Sequence, residues 1–516
     1  MPAQRETIMS IVKRTLSFAT LIIVALFVIV VIRTFTLHTR QLDVLECKKS
    51  DLDFIEIGHG SEALDRFQRA LRFQTISREP FDYNRNELKS LVEYIMSAYP
   101  DLHSSHLVQH EIVANYSLLY TVKGSNSSLT PYLLMAHLDV VPADPAKWEA
   151  DPFGAKIINN FIYARGTIDF KHGVMGILEA LNFYVTQGRQ PERGFYVAFG
   201  HDEEVGGLDG AKSISDLLWG RGVRRFEFIV DEGLTLLNKI LPGMVDQVAI
   251  IATAEKGQAS VELKVEGSPG HSSMPPPEST IGILAAAVHR LERNPPPSML
   301  GYGPETDTFE HLAPYMTLPM RMVMSNLWLF KPVVSWVMSR KPSLNAIIRT
   351  VTAVTMFNAG IKINVNAPEA TAYINHRIHP VQTVQEVLDY DRSIINDDRV
   401  KIRVLDSMEP HPIAASGEED FGYQTIKNSI RQVWNNTYVA PGTMIGNTDT
   451  RHYLRMTHNV YRFSPTVMFP DDPKRFHGDN ERISVKNYEQ AVNFYYHLMV
   501  NSNKESIEPT HHHSEL

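Results

Sequence analysis

The chain has 516 residues, of which 43% are hydrophobic, and it carries a formal net charge of -8. A single hydrophobic core stops growing beyond about 250–300 residues, so this length and composition predict a folded protein of two domains. The negative charge excludes a protein whose main surface binds nucleic acid, because such domains cluster positive charge. The single cysteine, Cys47, excludes an intramolecular disulfide framework and a metal site built from several thiolates.

The first predicted element is an apolar segment near the N-terminus. Residues 16–32 form a run of 17 uncharged residues, close to the minimum that crosses a hydrocarbon core of about 30 Å. We interpret residues 16–36 as an uncleaved signal anchor that follows a cytosolic tail at 1–15, with a cleaved signal peptide as the alternative. Both interpretations predict a body that is extracellular or lies in the lumen of the secretory pathway or of a vacuole or lysosome. Three glycosylation sequons agree with this location: Asn115, Asn126 and Asn435.

Three short apolar runs each lead directly into acidic or histidine side chains. The runs and the side chains that follow them are 132–136 before His137 and Asp139, 195–199 before Asp202, Glu203 and Glu204, and 226–230 before Asp231 and Glu232. Runs of this kind predict buried strands, and helical apolar spacing at 61–99 and 173–187 alternates with them, as in α/β folds. Ligands bind beyond the carboxyl ends of parallel strands, so we expect the three clusters to meet at one site.

The character of the chain changes after Glu255. Residues 259–265 alternate between polar and apolar side chains, as in a half-exposed strand, and are followed by a helical pattern at 281–291 and a matching strand at 370–376. This change predicts a second domain inserted into a catalytic domain. The predicted boundaries are 50–255 and 383–505 for the catalytic domain, 256–382 for the inserted domain and 506–516 for a C-terminal tail.

One segment of the inserted domain, Leu318–Met338, is rich in methionine, leucine, tryptophan and phenylalanine. Arg321, Lys331 and Pro332 interrupt it, which excludes a second membrane span. We interpret it as core or as a dimer interface in preference to a binding site for an apolar ligand.

The first candidate metal ligands are His137 and Asp169. His137 and Asp139 are two residues apart, so on an extended backbone both side chains point the same way, and Asp139 can orient an imidazole that binds a metal ion. Asp169 lies in a loop just before a predicted helix, where Gly166 permits a tight turn. A carboxylate presented in this way can bridge two cations.

The remaining candidates are Glu203, Glu204 and His477. Two adjacent glutamates cannot share one direction, so one can bind a metal ion while the other faces the substrate as a base. Nitrogen and oxygen ligands without thiolates suit zinc, with manganese or cobalt as substitutes. Two such ions about 3.5–4 Å apart would polarise a carbonyl and activate water, with Glu203 as general base. The Gly-x-Ser-x-Gly motif of serine hydrolases is absent from the sequence.

These residues resemble the dizinc aminoacylase, carboxypeptidase S and desuccinylase family of metallopeptidases. The matching segments, in the family's order, are 135–142 (MAHLDVVP), 163–171 (YARGTIDFK), 200–207 (GHDEEVGG), 230–233 (VDEG), 270–275 (GHSSMP) and 476–478 (FHG). Within the family, residues 358–365 (NAGIKINV) and 375–380 (NHRIHP) resemble the branch of carboxypeptidase S and its relatives that act on fatty-acyl amino acids.

The resemblance implies a role for each candidate. His137, Asp169 and Asp231 would hold one zinc ion, and Asp169, Glu204 and His477 would hold the other. Asp139 would orient His137, and Glu203 would be the catalytic base. Family members differ over which acid of the Asp231–Glu232 pair is the ligand, and we choose Asp231 because it comes first after the predicted strand.

The resemblance also implies a mixed central sheet in the catalytic domain and a ferredoxin-like fold for the inserted domain, which would act as a lid and mediate homodimer formation. His271 of the lid would stabilise the oxyanion, in many relatives at the partner's active site, and Arg377 and Asn364 would bind the substrate carboxylate. Many relatives have a second acid after the bridging aspartate, whereas this chain has Phe170. The departure implies altered support of the site without the loss of a ligand.

The predicted function is hydrolysis, and the reverse formation, of N-acyl amino acids with long apolar acyl groups. The first alternative is an exopeptidase of the carboxypeptidase S type that acts on short peptides. An alternative of another class is an inactive binding protein on the same fold, which the presence of every expected ligand and of Glu203 disfavours.

Overall fold

The computed structural model describes residues 2–37 and 54–503. The helices are α1 Pro2–Thr36, α2 Glu62–Leu71, α3 Arg85–Ala98, α4 Pro100–Ser104, α5 Lys171–Thr186, α6 Ala211–Gly220, α7 Thr280–Arg293, α8 Pro304–Leu312, α9 Leu318–Met324, α10 Leu327–Met338, α11 Pro342–Ile348, α12 Val384–Ile395, α13 Phe421–Val433 and α14 Val485–Asn501. The first eleven strands are β1 Ser77–Glu79, β2 Asp82–Tyr83, β3 Val108–Val113, β4 Ser117–Val122, β5 Tyr132–His137, β6 Lys156–Ile158, β7 Phe161–Tyr163, β8 Phe195–Gly200, β9 Ile229–Leu237, β10 Val248–Glu255 and β11 Gly257–Glu266. The others are β12 Gly270–His271, β13 Val351–Ala359, β14 Val365–Asn366, β15 Glu369–Ile378, β16 Lys401–Met408, β17 Tyr438–Met444, β18 Val460–Met468 and β19 Arg482–Ser484.

A mixed eight-stranded sheet forms the centre of the catalytic domain, in the order β17-β10-β18-β9-β5-β8-β4-β3. Its middle strands β18, β9, β5 and β8 run parallel. Every residue of β5 is buried, as expected for a parallel strand covered on both faces. The predicted strands at 132–136, 195–199 and 226–230 correspond to β5, β8 and β9, but β9 begins at Ile229 and continues through the acidic pair.

The helices cover this sheet through one large apolar core. Helix α5 is buried along nearly its whole length and packs with α14, where Val492 and Tyr495 lie in the same core as Ile177 and Leu181. The predicted helical region at 61–99 contains α2 and α3. The side chain of Ser61 accepts a hydrogen bond from the Leu64 amide and caps the start of α2.

A four-stranded antiparallel sheet, in the order β13-β15-β11-β16, forms the inserted domain, which is called the lid below after its predicted role. Helices α7 and α12 share one core with this sheet. These two helices and the four strands follow one another along the chain in the order βαββαβ, which is the ferredoxin-like arrangement. The boundary predicted at residue 382 lies inside this unit, because α12 and β16 complete it at Met408. Helices α8 to α11 instead pack on the central sheet, where Val248 and Ala440 share a core with Leu327 and Met338.

Helix α1 is not part of either sheet-containing domain. Among the described residues, Lys13–Thr36 is one helical stretch of 24 residues that is long and apolar enough to cross a membrane, and an 18-residue window within it has a mean hydropathy of 3.0. Its C-terminal end contacts the body of the protein, and Val30 and Thr34 are buried there. Cys47 and the tail predicted at 506–516 lie outside the described residues.

Candidate metal centre

The carboxyl ends of β5, β8 and β9 bring the predicted clusters together, as expected for neighbouring parallel strands. His137 is the last residue of β5, and Glu203 and Glu204 begin a short 3-10 turn three residues after β8. Asp169 lies two residues before the start of α5, and the Asp169–Phe170 peptide is cis. His477 adopts a left-handed backbone conformation, with φ of 54°, in the loop between β18 and β19.

Asp169 lies between two histidines at the centre of this cluster. Its Oδ1 atom is 3.0 Å from His137 Nε2, and its Oδ2 atom is 2.6 Å from His477 Nε2. Glu232 Oε2 lies 3.4 Å from His137 Nε2, and Glu204 Oε2 lies 3.3 Å from His477 Nε2. One carboxylate therefore connects two pairs, each made of an imidazole and a glutamate.

The sequence prediction named Asp231 as a ligand, but the structure brings Glu232 and not Asp231 to His137. Ligand atoms of His137, Glu203 and Glu232 lie within 4.8 Å of one another, as do those of His137, Asp169 and Glu204. Neither group contains Asp231, and the register of β9 with β18 shifts directly after this residue. The Asp231 Oδ1 atom accepts the amide hydrogen of Glu232, and its Oδ2 atom is buried without a hydrogen-bond partner among the described residues.

Asp139 positions both His137 and the glutamate pair. His137 Nδ1 lies 3.0 Å from the Asp139 carbonyl oxygen and 3.4 Å from its Oδ1 atom. The same carboxylate accepts the backbone N–H groups of Glu203, at 3.1 Å, and of Glu204, at 3.2 Å. A single buried acid thus fixes the imidazole orientation and the direction of the turn that follows β8.

The cluster concentrates negative charge in a buried place. Burial raises the pKa of Glu203 well above its usual range, and the charge of Glu232 adds to this effect. Burial, followed by the charge of Asp169, raises the pKa of Glu204 to about 7. Burial also opposes ionisation of Asp169, but hydrogen bonds from His137 and His477 outweigh it and lower the pKa of that carboxyl. Carboxylates packed in this way favour a bound cation, because positive charge offsets their mutual repulsion.

Glu481 holds the loop that carries Asp169, a role that was not predicted from the sequence. This fully buried carboxylate accepts the amide hydrogens of Ile168, at 2.5 Å, and Asp169, at 3.1 Å. It also accepts a hydrogen bond of 2.7 Å from Arg165 Nη1. Its position four residues after His477 was the available signal, but sequence spacing alone does not show which backbone amides an acid will meet.

A cleft of about 430 Å³ opens over the cluster and reaches the lid. Arg377 of β15 lines it and donates hydrogen bonds to Asn447 Oδ1 and, at 3.3 Å, to Gln258 Oε1. Further residues line the cleft that were not predicted from the sequence, among them Asn447 and Arg451. They follow β17 without a motif that marks them.

His271 and Asn364 do not line this cleft. Both are exposed, and they lie together, since the Asn364 carbonyl accepts the amide hydrogen of Ser272 at 3.2 Å. The His271 ring contacts Ser273 Oγ at 2.7 Å. The structure thus brings Arg377 to the site predicted for it and leaves His271 and Asn364 on an open face of the lid.

Comparison with known proteins gives relatives along nearly the whole chain. The N-fatty-acyl-amino acid synthase/hydrolase PM20D1.1 of Danio rerio is 46% identical over 487 residues, which cover 94% of each chain. The probable carboxypeptidase S-like 2 of Dictyostelium discoideum is 40% identical, covering 94% of this chain and 93% of its own. Among solved structures, the M20 family metallo-carboxypeptidase of Sulfolobus solfataricus has a similar fold, with a TM-score of 0.61 at 18% identity, over 86% of this chain and 99% of its own.

The family described as Peptidase family M20/M25/M40 matches residues 133–501, which contain every residue of the cluster and the whole lid. The chain therefore belongs to peptidase family M20/M25/M40.

Proposed function

We propose that the chain is a dizinc amidohydrolase that hydrolyses, and in reverse forms, N-fatty-acyl amino acids. The strongest support for this function is the position of Asp169. This residue lies between two imidazole–glutamate pairs and lines the same cleft as Glu203 and Arg377. The name of the Danio rerio relative supports the choice of an N-fatty-acyl amino acid as substrate.

The residues present fit two zinc ions. The donor set consists of imidazole nitrogens and carboxylate oxygens, and Glu204 Oε1 is buried without a hydrogen-bond partner among the described residues. In our proposal His137, Asp169 and Glu232 would hold one ion, and Asp169, Glu204 and His477 would hold the other. Zinc at these positions would polarise the scissile carbonyl and lower the pKa of the attacking water.

The chain's own residues would carry the proton transfers and position the substrate. Glu203 takes a proton from the attacking water and delivers it to the amine as the carbon–nitrogen bond breaks. Arg377 presents a planar guanidinium that suits the carboxylate of the amino acid product. In the reverse direction the free amine attacks the carboxyl carbon of the fatty acid, Glu203 accepts the amine proton and passes it to the departing hydroxyl group, which leaves as water as the carbon–oxygen bond breaks.

The lid and the N-terminal helix complete the proposal. His271 stabilises the oxyanion, either after lid closure or from the partner subunit of a homodimer. Asn364 binds the carboxylate of the substrate together with Arg377. Helix α1 is retained as a signal anchor, so the catalytic body lies in the lumen or outside the cell. Asn115 and Asn435 are exposed, as N-glycosylation requires, and Asn126 is partly exposed.

The substrate is tested by incubating the purified full chain with N-oleoyl-phenylalanine and, separately, with a set of dipeptides. We expect release of oleate and phenylalanine, and formation of the amide when both products are supplied in excess. The Glu203→Gln variant serves as the control for contaminating hydrolases. Cleavage of dipeptides alone would contradict the proposal and favour an exopeptidase, the activity suggested by the name of the Dictyostelium discoideum relative.

A further inference from the structure

Helix α10 presents an apolar face to the outside of the protein. The exposed side chains follow helical spacing in two adjacent rows, and each of them is between 37% and 58% exposed. They are Trp328, Leu329, Val333, Trp336 and Val337, which together are called the α10 face below. Contiguous exposed apolar surface of this kind marks a contact with another molecule or with a membrane.

The opposite side of α10 is fixed by the core and cannot turn to hide the α10 face. Leu327, Val334 and Met338 are buried in the apolar cluster that joins α10 to the central sheet. The helix is therefore apolar on both sides, and rotation about its axis would expose one apolar row while burying another. The exposure of the α10 face follows from the fold.

The candidate membrane span α1 is bonded to this same region. Asn326, which directly precedes α10 and is fully buried, donates from Nδ2 to the Val30 carbonyl and to Thr34 Oγ1, both at 3.2 Å. Arg321 of α9 donates from Nε to the Thr34 carbonyl at 2.8 Å. These contacts lie at the C-terminal end of the apolar stretch of α1, the end at which a span would leave the membrane.

We propose that the α10 face lies in the interface of the lipid bilayer that α1 crosses. The inference rests on the proposed retention of α1 and not on the proposed catalysis. A span that ends at Thr34 sets its contacts with Asn326 and Arg321 at the level of the lipid headgroups, so α10 lies at that level too. Tryptophan is enriched at this depth, and an in-plane helix binds there through its apolar side.

The charges around the α10 face agree with this environment. Lys331 Nζ lies 3.9 Å from the centroid of the Tyr302 ring, and the Arg340 guanidinium lies 4.5 Å from that of Trp336. Each cation stacks on an aromatic ring at the edge of the apolar surface, from which its head can reach headgroup phosphates while its stem covers apolar surface. A bilayer covers α1 and the α10 face at once, whereas a second copy of the chain would cover the α10 face without a role for α1.

Strand β17 connects this surface to the cleft. Ala440 packs in the cluster beneath α10, and Met444, four residues farther along the strand, lines the cleft over the metal centre. Four residues of a strand span about 13 Å. An acyl chain that partitions into the bilayer would thus meet the cleft near the membrane surface.

Tryptophan fluorescence tests the proposal in the full chain, reconstituted into phosphatidylcholine vesicles whose acyl chains are brominated near the headgroup. Of the five tryptophans, Trp148 and Trp434 are buried and Trp219 is half-buried beneath Arg224 and Arg455. We expect the brominated lipid to quench the wild-type emission, and most of that quenching to be lost in the double variant Trp328→Phe, Trp336→Phe. The matched control Trp219→Phe should retain it.

Equal quenching in the wild type and the double variant would overturn the proposal. So would quenching that disappears when the protein-to-lipid ratio rises, because the α10 face would then be covered by a second copy. N-terminal sequencing of the mature protein is the second measurement. A mature chain that begins after α1 would lack the helix that places α10 at the membrane surface, and the proposal would be wrong. Retained quenching together with absent amide hydrolysis would contradict only the proposed catalysis.

Discussion

At the scale of single residues, Glu203 and Glu204 are neighbours in sequence with different surroundings. Glu204 faces His477, whereas Glu203 lies with His137 and Glu232 on the floor of the cleft. Asp139 accepts both backbone amides, so it fixes the turn and prevents the two side chains from exchanging places. In the proposed mechanism, Glu204 belongs to the metal centre and Glu203 transfers the proton.

Replacement of the base tests this division. Glu203→Gln keeps the shape of the side chain but removes the proton acceptor, so we expect kcat to fall by about 10²- to 10⁴-fold with little change in KM. Zinc content, measured by mass spectrometry of the metal, should remain near that of the wild type. The control Glu204→Gln should instead lose zinc, and full activity of the Glu203→Gln variant would show that another group is the base.

His411 predicts a pH dependence of stability that is separate from catalysis. It is buried, its Nδ1 atom accepts a hydrogen bond from Arg462 Nη2 at 2.5 Å, and Glu255, Arg451 and His452 lie near it. Burial lowers the pKa of His411 to about 4, from 6.5 in the unfolded chain. Between these values the unfolded chain binds a proton that the folded chain does not, so stability falls as the pH drops from 6.5 towards 4, by about 3 kcal/mol in total.

Thermal denaturation across this pH range measures the effect. The melting temperature of the wild type should fall towards pH 4 more steeply than that of His411→Gln, which keeps an acceptor for Arg462 and cannot become charged. The exposed His458 provides the matched control, and His458→Gln should follow the wild type. Parallel curves for the wild type and His411→Gln would contradict the assignment.

At the scale of elements, the loop at 165–169 carries Asp169, the proposed bridging carboxylate, and Glu481 accepts hydrogen bonds from two of its amides. Removing one partner of a buried ion pair costs about 3–5 kcal/mol, because the other charge is left unpaired. Glu481→Gln would leave Arg165 without its carboxylate partner and turn an amide towards the N–H groups of the loop. We therefore expect a lower melting temperature together with a lower zinc content.

A buried acid elsewhere in the catalytic domain is the control that separates a loss of stability from a loss of zinc. Glu179 of α5 accepts hydrogen bonds from Arg66 Nε at 2.7 Å and from Tyr99 Oη at 2.8 Å. Glu179→Gln should lower the melting temperature as well, but it should leave the zinc content near that of the wild type. A Glu481→Gln variant with full zinc content would show that the loop keeps its shape without this carboxylate.

The helices and strands also show which parts of the fold could be predicted from the sequence. The apolar runs that became β5, β8 and β9 were predictable, because burial on both faces leaves a clear pattern. The choice between Asp231 and Glu232 depended on where β9 ends, and an apolar run does not show that a strand continues through buried acids. Asn447 lines the cleft through a hydrogen bond with Arg377, and contacts between distant segments leave no local signal.

The lid illustrates the same limit on a larger scale. The strand prediction at 370–376 found most of β15, but the boundary at 382 omitted α12 and β16. An edge strand such as β16, with most of its side chains exposed, lacks the apolar alternation that marks a buried face. Helices α8 to α11 lie within the same stretch of chain and yet pack on the other domain, which only the tertiary structure reveals.

At the scale of the whole molecule, the two residues of the lid that we expect to contact the substrate lie in different places. Arg377 on β15 already lies in the cleft, whereas His271 on the short strand β12 is exposed and outside it. His271 can act on a substrate only if the lid closes or if it enters the cleft of a second subunit. The second route requires a symmetric dimer in which each site contains residues of both chains.

Complementation between two inactive variants distinguishes these routes. We expect His271→Ala and Glu203→Gln each to lose most activity when expressed alone. If His271 acts on the partner's site, co-expression in equal amounts should restore about one quarter of the wild-type activity, because half of the dimers are mixed and each mixed dimer has one complete site. If His271 acts within its own subunit, every site in the mixture lacks one of the two groups and activity stays at background. Co-expression of Glu203→Gln with Glu204→Gln is the control, since both changes affect the same chain's site and neither route restores it.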